Sequence, residues 1–310
     1  MEDETSPDIR VFNLNPSNTS QLLIIPDEEG PKFDQDSLYY DMTGDKYLYI
    51  LNHHTYQKTP YFKNQQPNTR NGTEKDVKKL SKLFQSFGFK DIVFDDLNYE
   101  QIIKNITTVA GQDHSKTSCV CVAILTHGDK GGELHAADRP YLFSDLITIF
   151  EKQKSLVNKP KIFLIQACRG DNMDAGNSVK LDSDCDSVLS VPTHADFLTY
   201  YSTVEDLITL TKLKKKLYYR FKFKTKKYDN HNYLSYRDAN GSWLIQAFCD
   251  IISKHHEDLD LLHMITLTNR KVAYERVTYT PRNRAMNKKK QMPECRYTLT
   301  KLLRFQKNPF

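Results

Sequence analysis

A chain of 310 residues with 39% apolar residues, 16 Phe and 18 Tyr can bury a substantial core, as one large domain or two small ones. Its acidic opening, MEDETSPDIR, argues against a secretory signal, and its longest good apolar run, CVCVAIL at 119–125, is far short of the roughly 18 residues of a membrane span. The net charge of +5 is local: residues 204–231 hold nine Lys or Arg against three acids and leave the rest near neutral, which does not support a general nucleic-acid-binding body.

Residues 1–36 read as a short mobile leader, rich in Asp, Glu, Pro, Asn and Ser, with one apolar patch at 22–25 (LLII) and too little length for a further folded domain. KYLYILNH (46–53) is the first strand. GTEKDVKKLSKLFQSFGF then sets Val77, Leu80, Leu83, Phe84 and Phe87 at helical spacing, with Thr73 as N-cap. DIVF (91–94) is the second strand. NYEQIIKNI follows as a helix with Tyr99, Ile102, Ile103 and Ile106 on one side. CVCVAILTHG (119–128) is a buried strand ending in a polar turn, and Cys119 and Cys121 alternate onto one face of it. A short helix over 143–151 leads to KPKIFLIQ (159–166), the fourth strand. Residues 171–192 are polar, lack periodicity and hold five aspartates, which reads as an exposed loop. HADFLTYYST (194–203) is a strand, and GSWLIQAFCDIISKH (241–255) a helix with Trp243, Leu244, Ala247, Phe248 and Ile251 largely on one face. A further helix near 259–274 and a last strand at TLTKLLRF (298–305) complete the chain.

Near-continuous apolar strands alternating with helices predict an α/β fold, a central, mainly parallel sheet flanked by helices on both faces. In such folds functional groups gather beyond the carboxyl ends of the strands. His127 and Cys168 both lie just past such an end. Six cysteines in a chain of this length do not form a disulfide framework, and the protein reads as cytoplasmic and reduced. No metal or cofactor is implied, because neither His53-His54 nor His255-His256 has the i, i+4 spacing of helical ligands.

LIQACRG (164–170) places Cys168 where an apolar strand turns polar. A cysteine there is either a buried thiol ending a strand or a nucleophile. Thiol-dependent acyl transfer needs a thiolate, a base that later acts as acid, and donors for the oxyanion. Cys168 can supply the first and His127 the second, with the backbone N–H groups of Gly128 and Cys168 as candidates for the third. A glycine after the histidine lets the backbone approach a substrate with no Cβ in the way. On the residues alone both readings stand.

Gln166-Ala167-Cys168-Arg169-Gly170, with His127 41 residues upstream, resembles the caspase signature. Thr69-Arg70-Asn71-Gly72-Thr73, Ser235-Tyr236-Arg237, Gly241-Ser242-Trp243, Asn269-Arg270-Lys271-Val272-Ala273 and Lys290-Gln291-Met292-Pro293 are similar to further family segments, over about residues 37 to 306. The resemblance implies a cysteine endopeptidase that cuts proteins after aspartate. Arg70, Gln166 and Arg237 would line the pocket for that aspartate, within a substrate-binding set that includes Tyr236, Asp238 and Trp243. It implies an effector-type zymogen acting in apoptosis. The leader would span 1–36, a large subunit 37–182, an acidic linker 170–192 and a small subunit 187–310 carrying the basic insert. Candidate cuts follow Asp36, Asp182, Asp184 and Asp186. The implied partners are protein substrates, a second copy in a homodimer paired through the small-subunit edge strand, an upstream initiator protease and caspase inhibitors. Membranes and nucleic acids are not expected.

The chain departs from the family pattern twice. Asp238 stands where effector members often carry asparagine, which predicts a weaker preference for aspartate four positions before the cut and more tolerance of aliphatic residues there, as in VKLD at 179–182. Between Thr203 and Ser235 lie 31 residues where the family needs a handful. This insert reads as a tolerated surface loop, a basic module for RNA, acidic proteins or anionic membrane, or translated intron. The alternative to an enzyme is a catalytically silent caspase-like regulator that binds a caspase or an inhibitor; a third reading is a basic binding protein acting through 204–231.

Overall fold

The computed structural model describes residues 30–31, 33–129, 132–168, 194–203, 236–238, 240–279 and 290–306. The acidic loop, the basic insert, and with them Asp182, Asp184 and Asp186, lie outside the described residues. All nine residues of Thr117–Leu125 are buried, as are all six of Lys161–Gln166. Strands buried on both faces belong to the middle of a covered parallel sheet.

In chain order the structure runs β1 (Asp45–Asn52), α1 (Thr73–Gln85), β2 (Phe89–Asp95), α2 (Tyr99–Ala110), β3 (Thr117–Leu125), β4 (Glu133–His135), β5 (Pro140–Leu142), α3 (Phe143–Glu151), β6 (Lys161–Gln166), β7 (Phe197–Tyr201), β8 (Arg237–Asp238), β9 (Gly241–Ser242), α4 (Trp243–His255), α5 (Leu261–Glu275) and β10 (Glu294–Tyr297). The main sheet has the order β10-β7-β6-β3-β1-β2. Its pairings are parallel except β10 with β7. This is the α/β architecture expected from the alternation of elements.

Each face of the sheet has its own core. On one, Leu48, Ile50, Cys119 and Cys121 meet Leu80 and Phe84 of α1, Phe248 of α4 and Met264 of α5. On the other, Tyr49, Val120 and Val122 meet Ile102 and Ile106 of α2 with Leu146 and Phe150 of α3. Alternate residues of one strand thus feed both cores, and each fully buried large side chain contributes about 1.5–3 kcal/mol. Helix α2 starts on a capping box: Asn98 Oδ1 accepts from the Gln101 N–H at 2.8 Å, and Gln101 Oε1 accepts from the Asn98 N–H at 3.0 Å.

Three sequence expectations are corrected. Thr73 is the first helical residue of α1, not its cap; Gly72 caps it with a left-handed φ of 88°. The Thr73 hydroxyl is engaged elsewhere, donating to Asn52 Oδ1 at 2.6 Å and accepting from Arg70. Gly241 and Ser242 do not belong to a helix but pair with Arg237 and Asp238 as a two-residue ladder. The last strand is Glu294–Tyr297 rather than 298–305. The later segment buries Leu303 and Phe305 in the first core and pairs with the chain entering β1, Tyr40 N–H donating to Leu302 O at 3.1 Å and Leu302 N–H to Leu38 O at 2.8 Å. Among the described residues no helix is long and apolar enough to cross a membrane.

Candidate active site

The register of two central strands builds the site. Leu125 of β3 lies beside Gln166 of β6, and the next N–H, of Thr126, still donates to Gln166 O at 3.1 Å. Two residues beyond that pair on each strand stand His127 and Cys168. The turns that follow are in contact: a Cβ placed on Gly128 would lie 2.3 Å from Cys168 O and 2.9 Å from Glu133 O. No side chain fits there, which is the close approach that glycine permits. From the far side Ser202, just past β7, clamps Ala167, its Oγ accepting from the Ala167 N–H at 3.2 Å and donating to Ala167 O at 2.7 Å.

Exposure separates Cys168 from three of the other described cysteines, while Cys295 is half-buried as well. Cys119, Cys121 and Cys249 are buried, and burial pushes their thiols far above the ordinary range. Cys295 is pushed up to about 12, by burial first and then by Glu294. Cys168 is only half-buried, at the rim. A reactive thiol needs that access.

The imidazole of His127 is oriented by a backbone group. Its Nε2 lies 2.7 Å from Asn68 O. A carbonyl only accepts, so Nε2 carries the proton and, in the neutral ring, Nδ1 keeps the lone pair and can act as base. Above the same strand ends Arg70 is 2% exposed. Its Nη1 donates to His53 O at 2.8 Å, Leu125 O at 2.7 Å and the Thr73 hydroxyl at 3.0 Å, which fix the guanidinium in place. Gln166, 2% exposed, ends β6 and pairs in the register with Leu125, whose carbonyl accepts from Arg70.

The β8–β9 ladder brings the downstream segment to this rim. Arg237 pairs with Ser242, and Asp238 with Gly241. Ordinary van der Waals distance, 3.7 Å, separates a Cβ on Gly72 from Asp238 O, so the Arg70 loop and the ladder are neighbours. Tyr236 stacks obliquely on Trp243 with ring centroids 5.0 Å apart. Its hydroxyl is driven up by burial and then by the charge of Cys168. Asp238 is already engaged: its Oδ1 accepts from the Asn240 N–H at 2.7 Å and from Gln246 Nε2 at 3.1 Å, and its Oδ2 faces Arg276 at 3.5 Å. Asp36 does not join the site. It sits in a turn of residues 34–37 whose Asp34 and Ser37 carbonyls are gripped by the Lys301 ammonium, on the segment that joins the chain's two ends through the Tyr39–Leu302 bridge.

Sequence reasoning missed four contributors. Asn68 acts through its carbonyl, which carries no residue-type signal. Ser202 and Tyr56, whose hydroxyl accepts from the His127 N–H at 3.0 Å, lie in segments read only as strand or loop. Gln291 stands inside a quoted motif, yet its task is visible only in three dimensions: Oε1 accepts from the Tyr236 N–H at 2.9 Å while Nε2 donates to Ser202 O at 2.9 Å, tying the pocket segment to the strand behind Cys168. Among the described residues no group of three or more His, Cys, Asp or Glu side chains is arranged to hold a metal ion.

Residues 45–304 match the family model described as the caspase domain. The chain is 32% identical over 245 residues to caspase drICE of Drosophila melanogaster, a match spanning 76% of this chain and 64% of the relative. It is 33% identical over 242 residues to caspase-3 of Bos taurus, spanning 76% and 77%. The crystal structure of caspase-1 from Spodoptera frugiperda superposes with a TM-score of 0.71 at 32% identity, covering 89% of this chain and 96% of that one.

Proposed function

Because the chain belongs to the caspase family, we propose that it is an effector-type cysteine endopeptidase that cuts proteins after aspartate and acts in apoptosis. The observation that carries the reading is the contact of two adjacent strand ends, where His127 and Cys168 stand in step and the buried Arg70 donates to Leu125 O at the end of β3. Cys168 attacks the scissile carbonyl as thiolate. His127, held through Nε2 on Asn68 O, protonates the departing amine from Nδ1 and then activates the water that releases the acyl group. The N–H groups of Gly128 and Cys168 face the oxyanion. Arg70, Gln166 and Arg237 select the aspartate: planar guanidinium donors match a carboxylate, and a dry pocket built for that charge rejects a neutral analogue by factors on the order of 10⁴.

The chain is then a zymogen cut after aspartate in its acidic linker, at Asp182, Asp184 or Asp186, by an upstream protease, with Asp36 as the leader cut. The outermost strand, β10, with Arg296 and Tyr297 exposed, is the edge through which a second copy pairs. Protein substrates, caspase inhibitors and a cytoplasmic location follow from the same reading. The test is hydrolysis of fluorogenic peptides ending in aspartate by the purified chain, cut in its linker or coexpressed as two subunits, beside Cys168→Ala and a variant lacking 204–231. Activity that falls by at least about 10³-fold in Cys168→Ala, with the melting temperature unchanged, supports the enzyme. Silence in the full chain with activity in the shortened one makes the insert a block or an artefact. Silence in both overturns the enzyme in favour of the regulator.

A further inference from the structure

We infer that Tyr56 is a positioning residue for the proposed reaction: its hydroxyl fixes the backbone of His127 and so sets where the imidazole and the Gly128 N–H stand. The inference rests on the proposed function of the same site.

Tyr56 is 3% exposed, and a buried phenol needs hydrogen-bond partners. Beyond Thr126, whose N–H still reaches β6, the N–H of His127 turns away and donates to the Tyr56 hydroxyl at 3.0 Å. That hydroxyl is 2.9 Å from Thr126 Oγ1. Thr126 has spent its own proton on His135 O at 2.5 Å, so the phenol is the donor between the two. His135 N–H returns to His127 O at 3.0 Å. Four bonds therefore close a ring from His127 through Tyr56, Thr126 and His135 back to His127, with every donor direction determined. Such rings polarise each bond and resist small displacements.

The segment so held carries both halves of the proposed chemistry. Gly128 follows His127 directly and is restrained on its other side by its bridge to Leu134 and by the Asp129 N–H to Glu133 O bond of 2.9 Å. The Tyr56 ring also lies against the imidazole, with centroids 5.0 Å apart at 33°. The other titratable or charged groups at this face include His135, 6.2 Å from the His127 ring, Asp129, whose carboxyl is lowered chiefly by its bond to His135, His53, which burial keeps neutral, Arg70 on the His53 and Leu125 carbonyls, and Lys63 near Asp129. Without the hydroxyl the His127 N–H loses its acceptor, and the turn relaxes by a fraction of an ångström. Misplacement by 1 Å costs on the order of 100-fold, so about tenfold is expected here.

The experiment compares the full chain with Tyr56→Phe, which keeps the ring, each nicked by an aspartate-directed protease and its active sites counted with an aspartyl fluoromethyl ketone. In the variant kcat per titrated site falls about tenfold with KM within about twofold, and the pH profile of Cys168 alkylation by iodoacetamide moves up by about half a unit as the imidazole drifts from the thiolate. A purely structural tyrosine would lower the melting temperature and the titrated fraction but leave both readouts in place, and that result overturns the inference. If the parent chain hydrolyses no aspartyl peptide, it is the proposed function that fails; the alkylation profile then decides for Tyr56, displaced in favour and superimposed against.

Discussion

The two ends of the central sheet both bury polar groups and use them in opposite ways. At the amino end, Tyr40 donates to Asp196 Oδ1 at 2.6 Å, Thr300 donates to the same oxygen at 2.6 Å, and Thr300 N–H donates to the Tyr40 hydroxyl at 2.9 Å. Lys161, lowered to about 8 by burial, places its ammonium on Leu156 O and Lys159 O at 2.9 and 2.8 Å. These groups bind the segments around Tyr40 and Thr300 to the sheet and to one another. At the carboxyl end the holding is done by backbone carbonyls and hydroxyls, and the heteroatoms that could react, on Cys168 and His127, are left half-buried at the rim. One end is a lock; the other holds its reactive groups at arm's length. Changes at the first should appear in stability, changes at the second in turnover.

After Cys168→Ala, the largest effect expected is at the close contact of the reactive end. Gly128→Ala would force a Cβ within 2.3 Å of Cys168 O, and backbone on both sides leaves it nowhere to go. We expect kcat for aspartyl peptides to fall at least about 100-fold, with the melting temperature changed by only a few degrees. A variant with unaltered turnover would remove the contact between turns from the account. At the other end, Asp196→Ala takes the shared acceptor from Tyr40 and Thr300. Urea denaturation should show a loss of about 2–3 kcal/mol, with kcat per titrated site unchanged. A fall in turnover there would break the division between the two ends.

His53 sharpens the comparison because it follows β1 at the reactive end yet is buried like the groups of the lock. Burial above all lowers its pKa to about 4, and its Nε2 donates to Leu97 O at 3.0 Å. The fold holds the ring neutral, while the unfolded chain takes up a proton below about 6.5. The stabilisation is therefore complete above pH 6.5 and is lost as pH falls toward 4. Between pH 7.5 and 5 this group should cost about 2 kcal/mol of unfolding free energy. The pH dependence of urea unfolding should flatten by that amount in His53→Gln; an unchanged slope would assign the acid sensitivity elsewhere.

How legible the molecule was depends on which atoms do the work. The sheet could be read because its strands are apolar runs of the right length, and His127 and Cys168 could be paired because both follow such runs. The expectation that Arg70, Gln166 and Arg237 form an aspartate pocket came from the family resemblance alone, since spacing says nothing of one. Asn68 and Tyr56 escaped both routes: one works through a carbonyl, the other through a hydroxyl that meets His127 across 71 residues of chain. The misplaced last strand has a physical cause as well. TLTKLLRF is apolar because Leu303 and Phe305 plug the core from an irregular segment, whereas ECRY, at the sheet's edge, carries the charges that edge strands use against further pairing. Thr73 looked like a cap because its hydroxyl is free to be one in sequence; in the fold Arg70 and Asn52 occupy it.

The smallest expected effect lies at Asp238, between the two regimes. Its carboxylate is partly exposed at the rim, yet it is held like a lock by Asn240, Gln246 and Arg276. The expected repulsion of a substrate acid four residues before the cut must therefore be reduced by the arginine beside it. Asp238→Asn leaves that arginine without its carboxylate, and the ratio of kcat/KM for DxxD over VxxD peptides should rise about threefold, the scale of a partly exposed ion pair. Arg276→Ala should move the same ratio down, because the Asp238 charge then stands alone. The opposed signs make the comparison decisive: a pair that only shapes the β8–β9 turn would lower turnover for both peptides alike and leave their ratio where it was, whereas a pair that tunes the groove moves the ratio in two directions from one ladder.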